Sequence, residues 1–298
     1  MSALHAISRT VGDLARTEAF YRDGLGFGRI APPEPVPPPM LEALGLPDAS
    51  ATRLRMGIGA QIVEFLAVDP AGAPYPAEPL ATDPFFQHVA IPVRDMETAM
   101  ARLGGLAPRP ISRGGAQRLP ERSGGVTAFK ARDPDGHPFE LIVFPDGPAA
   151  ARWAQAPGLF LGIDHSAITV TDLDAALAFF AGALGFSVAQ RGLNRGPEQG
   201  RLDGVPDPEV DVVALVPPGR STPHLELLHY RRPATTRPTP APFGPRDRAT
   251  TRLVLAVGDV AATIRAVEAA GYPVTVSRDG GTAYAAGPDG HGLLVVTG

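Results

Sequence analysis

The stretch DLARTEAFYRDGLGF, from Asp13 to Phe27, decides the fold, because the chain contains a second version of it, DLDAALAFFAGALGF, from Asp172 to Phe186. Each copy follows a run of alternating apolar residues, and such alternation predicts a half-buried strand. Inside each copy the apolar spacing changes to that of a helix, and the leading Asp is a residue type that caps helix N-termini. The stretch and its flanks therefore predict a strand followed by a helix, occurring twice.

Two weaker copies extend the pattern to four modules. HVAIPVRDMETAMARLGG begins at His88, and RLVLAVGDVAATIRAVEAAG begins at Arg252. Helix N-caps are predicted at the four equivalent aspartates, Asp13, Asp95, Asp172 and Asp259. Shorter β-like runs broken by Gly and Pro follow each helix, as in VTAFKARDPDGHPFELIVF, which turns at Asp135-Gly136. The fold class predicted is α+β, built from four βαβββ modules. The insertion APPEPVPPPMLEALGLP at 31–47 predicts a surface excursion with a short helix, or a lid.

Length and composition indicate a globular protein of two domains. The 298 residues fit two domains of ordinary size, predicted at 1–146 with modules 1 and 2 and at 161–298 with modules 3 and 4, joined by a linker at 147–160. Hydrophobic residues make up 44% and charged residues 19%, and the sequence contains neither a membrane-length apolar run nor cysteine. A net charge of −4 with scattered arginines argues against nucleic acid and favours a small-molecule partner. No secretory signal is visible, so we expect a cytoplasmic protein, either a monomer or a homodimer.

Two motifs resemble those of one known family. The pattern VxDLxxxxxFYxxxLGF in the first module and DPDGHxxEL in the last hairpin of the second are similar to motifs of the vicinal oxygen chelate superfamily. Glyoxalase I, bleomycin resistance proteins and extradiol dioxygenases belong to that superfamily, and the resemblance covers nearly the whole chain. It implies two glyoxalase-like domains, in which pairs of modules form cup-shaped sheets that hold a divalent metal.

The resemblance places metal ligands in the first and last strand of each module. The first-strand positions fall on His88 and His165 in modules 2 and 3, but on Ala6 and Arg252 in modules 1 and 4. His5 lies one residue from the expected place, where a strand side chain points to the other face. The last-strand positions are Glu64, Glu140, Glu226 and Leu294. The fourth module thus lacks both ligands.

When these ligand positions are grouped by the two halves of the sequence, they predict one metal site, in the first half. Residues 1–146 retain Glu64, His88 and Glu140, a set that can hold Zn²⁺, Ni²⁺, Mn²⁺ or Fe²⁺, with Glu64 and Glu140 as the catalytic carboxylates. The competing interpretation for this half has no ion, and its carboxylates are neutralised by Arg53, Arg55 or Lys130.

The second half is predicted to be metal-free, because Arg252 at a ligand position repels a cation. His165, Glu226 and Arg252 are there expected to bind substrate, with Arg252 pairing with Glu226 or holding an anionic group.

The function predicted is that of a glyoxalase-like, metal-assisted lyase or isomerase acting on a small oxygenated substrate. Its main alternative is a metal-free protein that binds a drug or metabolite. A ring-cleaving extradiol dioxygenase is the second alternative, since the two-histidine, one-carboxylate pattern requires His5 within the first half. His137 and His291 occupy equivalent turns, which favours a structural role for both.

Overall fold

The computed structural model describes residues 3–219, 221–234 and 243–298, and each of four segments begins with a strand followed by a helix. The first segment comprises β1 (Ala3–Thr10), α1 (Leu14–Ala19), β2 (Gly28–Arg29), β3 (Glu34–Pro35), α2 (Pro38–Ala43), β4 (Ser50–Ile58) and β5 (Gln61–Asp69). The second comprises β6 (Gln87–Pro92), α3 (Met96–Gly104), β7 (Arg109–Pro110), β8 (Gln117–Arg118), β9 (Thr127–Arg132) and β10 (Pro138–Val143), and α4 (Pro148–Ala151) follows it.

The other two segments repeat this order. The third comprises β11 (His165–Thr169), α5 (Leu173–Leu177), β12 (Ser187–Arg195), α6 (Pro197–Asp203), β13 (Glu209–Val216) and β14 (His224–Arg232). The fourth comprises β15 (Thr251–Val257), α7 (Val260–Ala269), β16 (Val274–Val276), β17 (Thr282–Ala286) and β18 (Gly292–Thr297). Among the described residues, no helix is both long enough and apolar enough to cross a membrane.

The four predicted aspartate caps are confirmed. Each side chain accepts a hydrogen bond from a backbone N–H of the first helical turn, which satisfies a donor that the helix itself leaves free. The caps are Asp13 on α1, Asp95 on α3, Asp172 on α5 and Asp259 on α7. The helices α1 and α5 continue as π-helical turns at Phe20–Gly24 and Ala178–Ala183. Both copies of the opening motif therefore end in the same local structure.

Two nine-stranded sheets organise the molecule, and neither follows a sequence half. The first sheet has the order β16-β17-β18-β15-β1-β5-β4-β2, with β3 also on β4; the second has the order β12-β13-β14-β11-β6-β10-β9-β7, with β8 also on β9. Antiparallel pairs join β1 to β15 and β6 to β11. Modules 1 and 4 thus share one sheet, and modules 2 and 3 share the other.

This pairing corrects the expectation that modules 1 and 2 share a sheet. The free edge of β1 is occupied by β15 from the end of the chain, whereas β6 pairs with β11, the next module-opening strand along the chain. The segments 1–146, 147–160 and 161–298 remain a prediction about divisions along the sequence.

Each sheet has one face in a shared core and one face that we call its cup face. In the core, alternate residues of the central strands, such as Ile7, Val89 and Ile168, pack together with Phe20 and Phe179 from the helical turns. The cup faces carry the intervening residues, because side chains alternate along a strand. All eight ligand positions named above therefore lie on cup faces, four on each sheet.

The insertion at 31–47 closes the cup face of the first sheet. Met40 of α2 and Leu44 directly after it are buried and belong to one apolar cluster with Ala6, Val254 and Leu294 of the sheet. The predicted short helix is confirmed as α2. It packs its apolar side on the sheet, so the insertion covers this cup face, and the expectation of a surface excursion is wrong. The cup face of the second sheet carries an open cavity.

Candidate functional site

Two histidines and two glutamates meet at the centre of the second sheet. On the antiparallel pair β6 and β11, His88 lies opposite Ala167, and His165 lies opposite Ala90. Glu140 on β10 is the neighbour of Ala90, and Glu226 on β14 is the neighbour of Ala167. The two strand pairs are related by a local twofold arrangement, and each alanine leaves room between a histidine and a glutamate. We call these four residues, His88, Glu140, His165 and Glu226, the central cluster.

Distances within the central cluster fit a shared metal ion. His88 Nε2 and His165 Nε2 lie 3.3 and 3.5 Å from Glu140 Oε2, and His165 Nε2 lies 3.5 Å from Glu226 Oε2. These separations exceed ordinary hydrogen bonds and match the edge of a tetrahedron with metal–ligand bonds of about 2.1 Å, which is about 3.4 Å. One ligand atom from each of His88, Glu140 and His165 lies within 4.8 Å of the others. The group can therefore hold a metal ion.

His88 supplies a second indication. Its ring is buried, and neither ring nitrogen has a hydrogen-bond partner among the described residues. A buried imidazole without a partner is costly unless it serves as a ligand. Burial, followed by the positive charge of Lys130, lowers the pKa of His88 to about 4. His88 is therefore a neutral imidazole at pH 7, which is the form that binds metals.

The other groups of the cluster are held in opposite charge states. Burial favours the neutral form of Glu140, but Lys130, together with His165 and His88, holds its pKa well below the ordinary value. Burial likewise opposes a charge on His165, but Glu226, with Asp164 and Glu140, raises the pKa of His165 well above its ordinary value. Without a metal, the protonated ring of His165 thus balances negative charge on Glu140 and Glu226. A divalent ion can provide the same positive charge.

Asp164 orients His165. Its Oδ2 lies 3.1 Å from His165 Nδ1, and its Oδ1 accepts hydrogen bonds from Arg152 at 3.0 Å and from the indole of Trp153 at 3.3 Å. An aspartate on one ring nitrogen fixes the histidine so that the other nitrogen, Nε2, faces the cluster. Sequence reasoning missed Asp164, although an acidic residue directly before a ligand histidine is visible in the sequence.

The predicted residues Glu64 and Arg252 lie elsewhere. Glu64 is on β5 of the first sheet, where it accepts a weak contact of 3.4 Å from Arg53, and it does not join His88 and Glu140. Arg252 is on β15 of the same sheet and donates to Thr10 Oγ1 at 2.9 Å, so it does not pair with Glu226. The predicted three-ligand set and the predicted anion site are both corrected, because β1 pairs with β15 and not with β6.

The cup face of the first sheet shows what replaces metal ligands. Its equivalent positions are Ala6, Glu64, Arg252 and Leu294, and strand pairing sets them in the same arrangement as the central cluster. His5 lies at a β-bulge and its side chain is exposed, so it does not take the place of Ala6. A single carboxylate and an arginine do not form a cation site.

An open cavity of about 340 Å³ lies over the central cluster. Its walls include the apolar residues Leu119, Ile142, Phe144, Val212 and Leu228. A buried polar network forms part of the floor, in which Asp203 accepts hydrogen bonds of 2.8 Å from Lys130, 2.8 Å from Tyr230 and 2.7 Å from Gln199. The volume suits a small molecule.

Comparison with known proteins places this geometry in a family. The sequence model of the Glyoxalase/Bleomycin resistance protein/Dioxygenase superfamily matches residues 3–141 and 162–295. The chain belongs to this superfamily. Both matched segments carry members of the central cluster, so the superfamily assignment and the site concern the same residues.

Individual proteins that this chain resembles share between 18% and 27% sequence identity with it. A lactoylglutathione lyase of Arabidopsis thaliana is 27% identical over 194 residues, which cover 63% of this chain and 56% of that protein. The chain thus aligns with little more than half the length of that relative. Two solved structures of glyoxalase I from Zea mays, one of them a variant, have TM-scores of 0.69 and 0.65 at 19% and 18% identity. Both comparisons cover 100% of this chain and 92% of the other, and at this identity they establish the fold.

Proposed function

We propose that the chain is a metal-dependent lyase or isomerase of the glyoxalase type that acts on a small oxygenated substrate at the central cluster. The observation that carries the proposal is the set of two imidazoles and two carboxylates beneath an open cavity, where the buried ring nitrogens of His88 make no hydrogen bond to any described residue. The similarity to a lactoylglutathione lyase supports the same reaction class.

The donor set suits a borderline divalent ion. His88, Glu140, His165 and Glu226 offer nitrogen and oxygen ligands of the kind that Zn²⁺, Ni²⁺, Mn²⁺ and Fe²⁺ accept. When bound, such an ion supplies Lewis-acid stabilisation of the negative charge that develops on a substrate oxygen. His88, His165 and one of the two carboxylates, Glu140 or Glu226, would hold the ion, which leaves the other carboxylate for proton transfer.

The carboxylates of the cluster provide proton transfer. The name of the Arabidopsis relative refers to a lactoyl thioester, and the isomer of such a thioester is the hemithioacetal of a 2-oxoaldehyde. Conversion of the hemithioacetal into the thioester moves the C1 proton to C2 and the hydroxyl proton from the oxygen on C1 to the oxygen on C2, and it needs no external oxidant or reductant. Glu140 or Glu226 accepts the C1 proton and returns it to C2, acting as base and then as acid. Catalysis by Glu64 is not part of the proposal, since it lies on the other sheet.

The surroundings of the cluster assist this chemistry. The apolar walls at Ile142, Phe144 and Leu228 limit water near the reacting carbon. Lys130 pairs with Glu140 across β9 and β10, so its ammonium lies on the same face and favours the ionised carboxylate. Asp164 keeps His165 Nε2 directed at the cluster.

Metal analysis on a matched pair of variants tests the proposal. Glu140 and Glu64 occupy equivalent positions on the two sheets, and both side chains are buried. We expect about one equivalent of divalent metal in the wild type and in Glu64→Gln, and a loss of metal and of hemithioacetal isomerisation in Glu140→Gln and His88→Ala. Wild-type protein that takes up none of Zn²⁺, Ni²⁺, Mn²⁺ or anaerobic Fe²⁺ would contradict the proposal and favour the metal-free binding protein.

A ring-cleaving dioxygenase is the second candidate. His88, His165 and Glu140 form the two-histidine, one-carboxylate group that oxygen-activating iron enzymes use, and this group does not need His5. Oxygen uptake by the Fe²⁺-loaded protein with catechol, without isomerisation of any hemithioacetal, is the result that supports this candidate.

A further inference from the structure

The edge strand β12 forms one wall of the cavity with two amide side chains. Gln190, Gly192 and Asn194 line the cavity, whereas Arg191 between them does not. This alternation follows from the period of a strand, in which every second side chain lies on one face. Gly192 adds no side chain, so the space between the two amides is open to the cavity.

Strand register places these amides beyond the central cluster. Gln190 pairs with Ala214, and Ala214 pairs with Glu226. Gln190 therefore lies level with Glu226 but two strands away, a distance of about 10 Å at the usual strand spacing. Asn194 lies four residues further along β12, level with Tyr230 on β14. A substrate whose reacting end is at the cluster brings its other end to this wall.

The two amides are free to bind a ligand. Neither Gln190 nor Asn194 makes a side-chain hydrogen bond to any residue in the described ranges 3–219, 221–234 and 243–298. By contrast, Lys130 and Tyr230 in the same cavity both donate hydrogen bonds to Asp203. An amide offers both a donor and an acceptor, which suits hydroxyl and amide groups of a ligand.

Charge in the cavity is already balanced. Lys130 is paired with Asp203 at 2.8 Å, and Asp164 is paired with Arg152 at 3.0 Å. A divalent ion neutralises the two glutamates of the central cluster. Of the charged lining residues this leaves Arg122 and Asp146, both exposed and of opposite sign. The described lining thus has no excess positive charge with which to hold several anionic groups.

We infer that Gln190 and Asn194 determine specificity by hydrogen-bonding an uncharged, hydroxyl-bearing or amide-bearing part of the substrate. The inference rests on the proposed function for the reaction at the other end of the cavity. The substrate class is then a neutral, polar conjugate of a 2-oxoaldehyde, and a multiply anionic conjugate is a poorer substrate.

Three hemithioacetals of methylglyoxal test the inference. The thiols are thioglycerol, which is neutral and hydroxylated, 3-mercaptopropionate, which is anionic, and ethanethiol, which is apolar. We expect the thioglycerol adduct to have the highest kcat/KM. In Gln190→Leu/Asn194→Leu its KM is expected to rise about 10-fold with kcat retained, the effect of losing two modest hydrogen bonds. Turnover of the ethanethiol adduct should not change, and Arg191→Leu on the opposite face of β12 is the matched control.

A binding measurement separates this inference from the proposed reaction. Calorimetric titration with the thioglycerol ester of lactate should show binding to the wild type that the double leucine variant weakens about 10-fold. If no adduct is isomerised but this difference remains, the proposed function fails and the recognition by β12 stands. A preference for the 3-mercaptopropionate adduct, or an equal effect of the variant on all three adducts, overturns the inference while isomerisation itself survives.

Discussion

Asp164 shows how a single residue couples the central cluster to the connection between modules 2 and 3. Its carboxylate accepts hydrogen bonds from Arg152 and Trp153, in the segment that follows α4, and from Nδ1 of His165. The segment before α4 contributes Phe144 and Asp146 to the cavity lining. The connection between the two modules is therefore part of the site, although the sequence predicts only a spacer there.

Replacing Asp164 tests this coupling. In Asp164→Ala the His165 ring loses the partner that fixes its orientation, so we expect metal affinity to fall about 10-fold to 100-fold. Competition with a chromophoric chelator measures the affinity. Asp211→Ala is the control, since Asp211 accepts from His229 in the same manner but outside the cavity. Unchanged affinity in Asp164→Ala would mean that packing alone orients His165.

At the scale of elements, α2 and Leu294 show that apolar packing occupies one of the ligand-equivalent positions on the first sheet. Leu294 is fully buried in the apolar cluster that contains Met40 of α2 and the adjacent Leu44. We expect Leu294→Ala to lower the free energy of unfolding by about 2–5 kcal/mol, because the side chains packed around Leu294 cannot move to fill the cavity that the substitution leaves. Metal content should not change.

Urea denaturation followed by circular dichroism measures the effect. Leu80→Ala provides the control, because Leu80 is 40% exposed and its truncation should cost little. A loss in Leu294→Ala no larger than that of the control would show that α2 does not pack tightly on the sheet.

Local structure and the cup-face positions could be predicted from the sequence, but the pairing of strands between modules could not. The aspartate caps follow from local spacing, and the cup-face positions of His88, Glu140, His165 and Glu226 follow from the family resemblance. The choice of β11 as the partner of β6 depends on contacts between distant strands with similar alternating patterns, which leave no local signal. One signal was available: modules 2 and 3 together hold a complete ligand set, and modules 1 and 4 together lack three of four ligands.

At the scale of the whole molecule, two equivalent turns join the two sheets. His137 Nε2, in the turn before β10, donates to the carbonyl of Thr10 on β1 at 2.8 Å. His291 Nε2, before β18, donates to the carbonyl of Thr169 on β11 at 2.7 Å. Each bond links one sheet to the other, which supports the structural role predicted for both histidines.

His137 makes stability depend on pH. Burial, followed by the charge of Arg9, lowers the pKa of His137 to about 3, whereas an unfolded histidine titrates near about 6.5. Between these values the unfolded chain binds a proton that the folded chain does not, so the free energy of unfolding falls as the pH drops from about 6.5 to about 3. Asp135 favours and Arg252 opposes protonation, and Thr251 approaches Nδ1 at 3.4 Å.

The variant His137→Gln should be less stable at pH 7 and should lose stability less steeply toward pH 4. Urea midpoints at several pH values measure both effects. His229→Gln, at a partly exposed histidine paired with Asp211, is the control. Parallel curves for the wild type and His137→Gln would show that another group governs the acid dependence.

The pairing of the sheets also sets an order of events during synthesis. Every strand of the second sheet lies between Gln87 and Arg232, whereas the first sheet needs β1 and β5 together with strands that begin at Thr251. The ribosome therefore releases all the strands that carry the central cluster while β1 still lacks its partner β15. The sheet that carries the central cluster is nested in sequence within the sheet that lacks one, and the outer sheet is the last to close.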